Sequence, residues 1–266
     1  MADRYSFLPT SFPKLPLRLM DYSLLAALFG ISAAVLMGFS KTGLPGAATP
    51  AVALMAAAFP EHAELSVGAM LPLLLIGDVF AVVRRGHKAQ WGRLWRLFPY
   101  VLLGMVPGYL VLSWLSGTQL RPVLGGLVLA LLGLELARKW LGWNDIPERW
   151  WVVGPTGFLA GFSTIVGNAG GPVMSLYLLS QGLAKEAFIG TCAWFFFLLN
   201  LSKVIPFWSA GMLNRQTLTI GLVLGPVTLA GGLFGLWLLE RISQRAFNGL
   251  MLILAGVAGL WLLAMR

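Results

Sequence analysis

Three charged residues lie within long apolar stretches, and their types indicate how the chain could handle an anion. Lys41 follows the charge-free run 22–40, and Lys203 has 16 uncharged residues before it and 11 after it. Asp78 lies in the apolar stretch 65–83. An ammonium group inside a membrane is costly and is usually paired or functional. Lys41 and Lys203 are therefore candidate ligands for an anion.

Each of these charges also has a structural interpretation. Lys41 could extend from a helix end to the lipid headgroups, and Lys203 could form a structural salt bridge with Asp78. Asp78 could take up and release a proton, which would couple transport to an ion gradient. Alternatively, this carboxylate is a counter-ion to Lys41, Lys203 or Arg84. The residues alone leave these alternatives open.

Two glycine-rich motifs add polar groups and exposed backbone. Residues 38–46 are Gly-Phe-Ser-Lys-Thr-Gly-Leu-Pro-Gly, and residues 161–172 begin with Gly-Phe-Ser-Thr and end with Gly-Gly-Pro. Irregular backbone at membrane depth must face protein or a water-filled cavity. A helix that restarts after such a break exposes N–H groups that favour an anion. Close helix packing at the glycines is the alternative explanation.

We therefore expect an anion site between two broken or re-entrant helices, with breaks at residues 40–50 and 163–172. The candidate substrate-binding residues are Ser40, Lys41, Thr42, Gly43, Gly46, Ser163, Thr164, Gly167, Asn168, Gly170, Asn200 and Lys203. Asp78 is the candidate coupling residue. Asn200 could instead serve only as a hydrogen-bonding residue between helices.

The two motifs belong to an internal repeat. At similar offsets of about 122 to 124 residues, Val67-Gly68 resembles Ile189-Gly190, and Asp78 aligns with Asn200. Each half contains a broken pair of short segments and then three longer ones, so it crosses the membrane an odd number of times and the second half is inverted. The predicted divisions are an N-terminal tail (1–21), a first repeat (22–140), a linker (141–149) and a second repeat (150–266).

Composition places these segments in a membrane. Hydrophobic residues make up 58% of the 266 residues and charged residues only 11%, whereas soluble domains are about one quarter charged. A spanning helix needs roughly 20 mostly apolar residues. We predict ten helical segments, at 22–40, 42–60, 65–83, 97–115, 121–138, two within 150–184, 187–209, 216–239 and 246–265. The expected fold is an all-α polytopic membrane protein.

Charge distribution predicts orientation and excludes other classes. The net charge is +9, but the basic residues lie between apolar spans and no nucleic-acid motif accompanies them. Eleven basic residues fall on one predicted side and six on the other. The side with eleven should face the cytoplasm, so both termini are expected on the outer side of the cell inner membrane. The single cysteine, Cys192, excludes an internal disulfide. We expect neither a metal site nor a cofactor, and no catalytic constellation indicates an enzyme.

The chain resembles the sulfite exporter TauE/SafE family of bacterial membrane proteins. The resemblance rests on the motif at 38–43, on its mate at 161–164 leading to 170–172, and on the five-segment repeat, and it covers residues 22–264. It implies transport of sulfite, sulfonates or related small organic anions across the cytoplasmic membrane. Lys41-Thr42 is the pair that the resemblance carries over as a site. The second motif has Thr164-Ile165 there, so a symmetric two-lysine site is not expected.

The leading hypothesis is a secondary transporter that works by alternating access of the repeats. No Walker motif is present, so a proton or sodium gradient, or the gradient of the anion itself, would drive it. The alternatives are an anion channel, a non-transporting subunit that assists another membrane protein, and a membrane-embedded enzyme acting on lipids. The sequence leaves the particular anion, the direction of flow and the oligomeric state open.

Overall fold

The computed structural model describes residues 24–59, 63–114, 150–167, 170–209 and 211–264, with single positions between 126 and 141. These residues form helices and short connections. Within these described ranges lie nine continuous α-helices, which are α1 (Leu24–Thr42), α2 (Ala48–Ala58), α3 (Ala63–Arg85), α4 (Trp91–Trp114), α5 (Trp150–Gly167), α6 (Gly170–Ser180), α7 (Lys185–Ser209), α8 (Arg215–Arg241) and α9 (Gln244–Ala264). Short 3₁₀ helices cover Pro45–Ala47 and Gly86–Lys88.

The surface of this bundle is apolar, as a lipid-facing surface requires. Side chains such as Leu222, Ile205 and Val83 are 75%, 80% and 74% exposed. The buried charged side chains among the described residues are Lys41, Asp78 and Lys203. Within the described part of the chain, four helices are long and apolar enough to cross a membrane; they are Leu24–Thr42, Ser66–Lys88, Lys185–Ser209 and Arg215–Arg241.

Two helical pairs turn back within the bundle. α2 and α6 have 11 residues each, or about 16 Å at 1.5 Å per residue, which is too short for a hydrocarbon core of about 30 Å. α2 packs on α1 and α6 packs on α5. The predicted segment 42–60 is therefore not one continuous helix, because Gly43 to Ala47 interrupt it inside the predicted break and the short helix α2 follows.

The breaks are narrower than the sequence predicts. α1 continues through Thr42, so Lys41 lies in the last helical turn and not inside the break. α5 continues through Gly167, so Ser163 and Thr164 are helical as well. The predicted span 97–115 starts earlier, at Trp91, because the helix continues into an amphipathic turn at its polar end. The predicted segment 121–138 lies mostly outside the described residues.

α3 and α7 form the centre of the bundle and run antiparallel. Near one end, the Cα of Gly190 approaches the backbone of Arg85 so closely that a Cβ would overlap it. Near the other, Gly68 makes the same kind of approach to Met212. α3 packs on α1 and α8, and α7 makes further contacts with both α1 and α4.

Two further helix pairs flank this centre, and glycines set their separation. In the α1–α8 pair, a Cβ on Gly38 would overlap the carbonyl oxygen of Thr228, and one on Gly231 would overlap that of Val35. The α4–α5 pair repeats this arrangement: a Cβ on Gly161 would overlap the carbonyl oxygen of Val101, and one on Gly104 would overlap that of Phe158. The α1 and α5 positions differ by 123 residues in both contacts, and the α4 and α8 positions differ by 127.

Basic residues gather at one end, which we call the arginine end and define by Arg85, Arg93, Lys185 and Arg241. Arg85 forms an ion pair with Glu240 at 2.7 Å. Lys185 donates to the carbonyl oxygens of Leu239 and Ile242, each at 2.6 Å, and so caps the C-terminus of α8. Arg93 donates to the carbonyl oxygen of Gln181. Loops from both halves therefore meet at this end.

Candidate functional site

A buried ion pair between α1 and α3 forms the centre of the candidate site. The Lys41 Nζ lies 2.7 Å from the Asp78 Oδ1, and the two side chains are 6% and 0% exposed. The same ammonium lies 4.8 Å from the centre of the Phe196 ring on α7, within the range of a cation–π interaction. Of the counter-ions that the sequence allowed for Asp78, Lys41 forms an ion pair with this carboxylate. Snorkelling of Lys41 to the headgroups is therefore not what the structure shows.

Asn200 extends this pair to the second half of the chain. Its Nδ2 donates to the Asp78 Oδ2 at 2.7 Å, and Asn200 is 2% exposed. The two carboxylate oxygens of Asp78 thus have different partners, an ammonium on Oδ1 and an amide on Oδ2. Asn200 thus joins α7 to α3 and also lines the cavity described below, and its role in binding a substrate stays a prediction.

Lys203 lies one turn beyond Asn200 on α7 and contacts the second motif. Its Nζ donates to the Thr164 Oγ1 at 3.3 Å, and both residues are buried. Thr164 occupies the position that Lys41 occupies in the first motif. Each motif therefore contributes one residue to a polar contact with a central helix, Lys41 to α3 and Thr164 to α7.

The two breaks approach each other beside this cluster. A Cβ on Gly171, near the start of α6, would come within 3.6 Å of the Pro45 carbonyl oxygen. Leu44 packs in the same hydrophobic cluster as α6 and α7. At the start of α2, Ala47 provides no side-chain cap, and the dipole of a helix N-terminus favours a negative charge nearby.

A small cavity of about 30 Å³ lies between the breaks. Its polar walls are Ser40, Lys41, Thr164 and Asn200, and its apolar walls include Met37 and Phe196. This volume accommodates roughly one or two water molecules.

The hydroxyl groups of the two motifs differ in where they point. The Ser40 Oγ donates to the Met37 carbonyl oxygen at 2.7 Å while Ser40 lines the cavity. The Ser163 Oγ donates to Ala160 at 3.3 Å, one turn back in its own helix. The Thr42 Oγ1 donates across to the Gly232 carbonyl oxygen on α8 at 2.6 Å. Thr42 is thereby placed in the α1–α8 contact.

The glycines of the predicted site lie at helix ends and in close backbone contacts around the two breaks. Gly43 follows α1 and packs against Gly235, and Gly46 lies in the 3₁₀ turn before α2. Gly167 ends α5. Gly170 starts α6, where a Cβ would lie 2.9 Å from the Thr164 Cβ. Asn168 lies outside the described residues.

Sequence reasoning missed the apolar side of the site. Phe196 and Met37 lie in apolar runs with no pattern that separates them from other core residues. Their role at the cavity arises from the crossing of α1 and α7, which no local signal records. Among the described residues, no group of three or more His, Cys, Asp or Glu side chains could hold a metal ion.

An apolar bundle with an ionised cluster between its central helices is the architecture of a multi-pass membrane protein with an internal polar site. The family model described as Sulfite exporter TauE/SafE matches residues 26–262. The chain belongs to the sulfite exporter TauE/SafE family, and the resemblance drawn from its motifs is confirmed. No curated protein and no solved structure matches the chain.

Family membership has direct consequences for the kind of protein this is. The protein is a membrane protein of a family described as sulfite exporters, and membership of a transport family fits the expectation that it is not an enzyme. Its apolar helices agree with a multi-pass location.

Proposed function

We propose that the protein is a secondary transporter that carries a small oxyanion, such as sulfite or a sulfonate, across the cytoplasmic membrane. The observation that supports this most strongly is the cavity between the two breaks, because Lys41, Thr164 and Asn200 meet there from three helices of both halves. An ammonium and neutral donors in an apolar setting suit a small anion. The uncapped start of α2 adds favourable backbone dipoles.

We further propose that the halves are inverted repeats and that they move against each other around this site. The matched glycine contacts of α1–α8 and α4–α5 support a common internal geometry. The antiparallel course of α3 and α7, which are equivalent segments, supports inversion. In such folds the substrate binds between the repeats near the membrane midplane, and access alternates between the two sides.

Orientation follows from charge. The arginine end carries basic residues of both halves and would face the cytoplasm, so the N-terminus of α1 would lie on the outer side.

Lys203 would support the anion indirectly through the Thr164 hydroxyl. In this proposal Thr42 positions α1 against α8, while Ser40 can contact the substrate.

Transport into proteoliposomes tests the proposal. Purified protein in vesicles should take up radiolabelled sulfite, and Lys41→Gln should reduce the initial rate at least tenfold, because the variant retains the shape of a polar side chain but loses the charge. Lys88→Gln is the matched control, since Lys88 is exposed at the arginine end. Uptake that survives Lys41→Gln would remove Lys41 from the site, and wild-type vesicles inert to sulfite and to sulfonates would refute the function.

A further inference from the structure

The different partners of the two Asp78 oxygens carry an inference about coupling, and it rests on the proposed function. The Lys41 ammonium is the described partner of Oδ1, which accepts no hydrogen bond from another described residue. Oδ2 accepts from Asn200. If an anion binds the Lys41 ammonium in place of Asp78, Oδ1 therefore loses its ion-pair partner, while Oδ2 keeps its hydrogen bond from Asn200.

We propose that the entering oxyanion takes the Lys41 ammonium from Asp78, and that Asp78 then accepts one proton on Oδ1, so that anion and proton move together. The proton comes from water on the side to which the cavity is open, and a new O–H bond forms on the carboxylate. No other bond is made or broken. On release of the anion, Asp78 loses the proton and the ion pair with Lys41 forms again.

Burial of Asp78 favours this exchange. Asp78 is 0% exposed, and an ionised carboxylate without a partner is costly in a nonpolar interior. The cavity of about 30 Å³ is lined by Lys41, so an oxyanion bound there would compete with the carboxylate for the ammonium. A proton on Oδ1 removes the charge that the anion displaced, and the amide of Asn200 continues to donate to Oδ2 in either state.

Other charged or titratable groups face Asp78 from the helices packed around α3. α1 contributes Lys41, and α7 contributes Lys203 and the buried thiol of Cys192. α8 faces this level with Thr228 and Gly232, and α2 carries no charged residue. Lys203 is thus the one described group besides Lys41 whose positive charge can compensate Asp78, and this alternative predicts binding without proton uptake.

Calorimetry of sulfite binding distinguishes proton uptake by Asp78 from compensation of its charge by Lys203. Binding to detergent-solubilised protein is measured at one pH in buffers of different ionisation enthalpy, which gives the number of protons taken up per anion. The wild type should take up about one proton more than Asp78→Asn, and the contribution of sulfite itself cancels in this difference. Asp78→Asn should also bind sulfite several-fold more tightly, because no carboxylate competes for Lys41.

Glu186→Gln is the matched control, since Glu186 lies on α7 with a side chain that is 39% exposed; its proton uptake should equal that of the wild type. A second measurement needs only the wild type, so it holds even if Asp78→Asn does not fold. Sulfite binding should produce the carbonyl band of a protonated carboxyl group in an infrared difference spectrum. Sulfite binding with no such band and no extra proton overturns the inference but leaves the transport function intact, whereas absence of sulfite binding to the wild type counts against the proposed function itself.

Discussion

The side-chain amide of Asn200 donates to the carboxylate of Asp78 at 2.7 Å, although 122 residues separate them. In the proposed repeat, the two residues occupy equivalent positions. Equivalent residues can touch only where an axis relating the halves passes between them, so the contact marks the centre of the proposed repeat. The ion pair of Lys41 with Asp78 places the candidate site beside that centre.

Removing this amide should destabilise the protein. Asn200→Ala leaves the Asp78 Oδ2 buried without its donor, and a hydrogen bond to a charged group contributes about 1.5–3 kcal/mol. Asn248→Ala is the control, since Asn248 accepts from uncharged Gln244 in a part-buried setting, where about 0.5–1.5 kcal/mol is expected. SDS titration of unfolding in mixed micelles measures both, and equal losses would show that the Asp78 contact contributes nothing special.

The ion pair of Lys41 and Asp78 should show strong coupling in a double-mutant cycle. Lys41→Met or Asp78→Asn alone leaves one buried charge without its partner and should cost about 3–5 kcal/mol, while the double variant should recover most of the loss. The pair Arg85–Glu240 is the control, because the Glu240 side chain is 63% exposed; exposed pairs couple by about 0–1 kcal/mol. Additive losses at Lys41 and Asp78 would contradict the buried pair.

The glycine contacts should be intolerant of a single methyl group. Gly38→Ala and Gly161→Ala place a Cβ against the backbone carbonyls of Thr228 and Val101, so the paired helices must separate. We expect each to lower the free energy of unfolding by about 1–3 kcal/mol, as overpacking does. Gly249→Ala meets no atom within 4 Å and should gain about 0.5–1 kcal/mol from helix propensity. Similar melting temperatures for all three would refute the close approach.

Substitutions of the two motif threonines, Thr42 and Thr164, should have different effects, one on stability and the other on sulfite affinity. Thr42→Val removes the hydroxyl bonded to Gly232 and should cost about 1 kcal/mol with no change in sulfite affinity. Thr164→Val alters the cavity wall and the contact with Lys203, so we expect at least a threefold weaker affinity. Calorimetric titration with sulfite measures this, and a loss of affinity in Thr42→Val would return that hydroxyl to the binding site.

The orientation is open to chemical labelling. In a Cys192→Ala background, which removes the only cysteine, Arg215→Cys should react with a membrane-impermeant maleimide in intact cells, because Arg215 is exposed at the end opposite the arginine end. Lys88→Cys should react only after the membrane is opened. The reverse pattern would place the arginine end outside and overturn the orientation.

Much of the architecture is determined by the sequence itself. Long apolar runs determine membrane helices because unpaired backbone and charge are too costly in lipid. The paired Gly-Phe-Ser motifs locate both breaks to within a few residues, and the repeat offset aligns Asp78 with Asn200 before any coordinate is known. These signals are local or repetitive, so they can be read along the chain.

Tertiary structure alone decided which groups meet. Three cations were open as partners of Asp78, and the crossing of α1 and α3 selected Lys41. The packing of α1 on α8 turned the Thr42 hydroxyl toward Gly232, and the crossing of α1 and α7 brought Phe196 against the ammonium. A partner's identity depends on helix separation and rotation, which are set by glycine contacts between segments nearly 200 residues apart, and no local pattern encodes that distance.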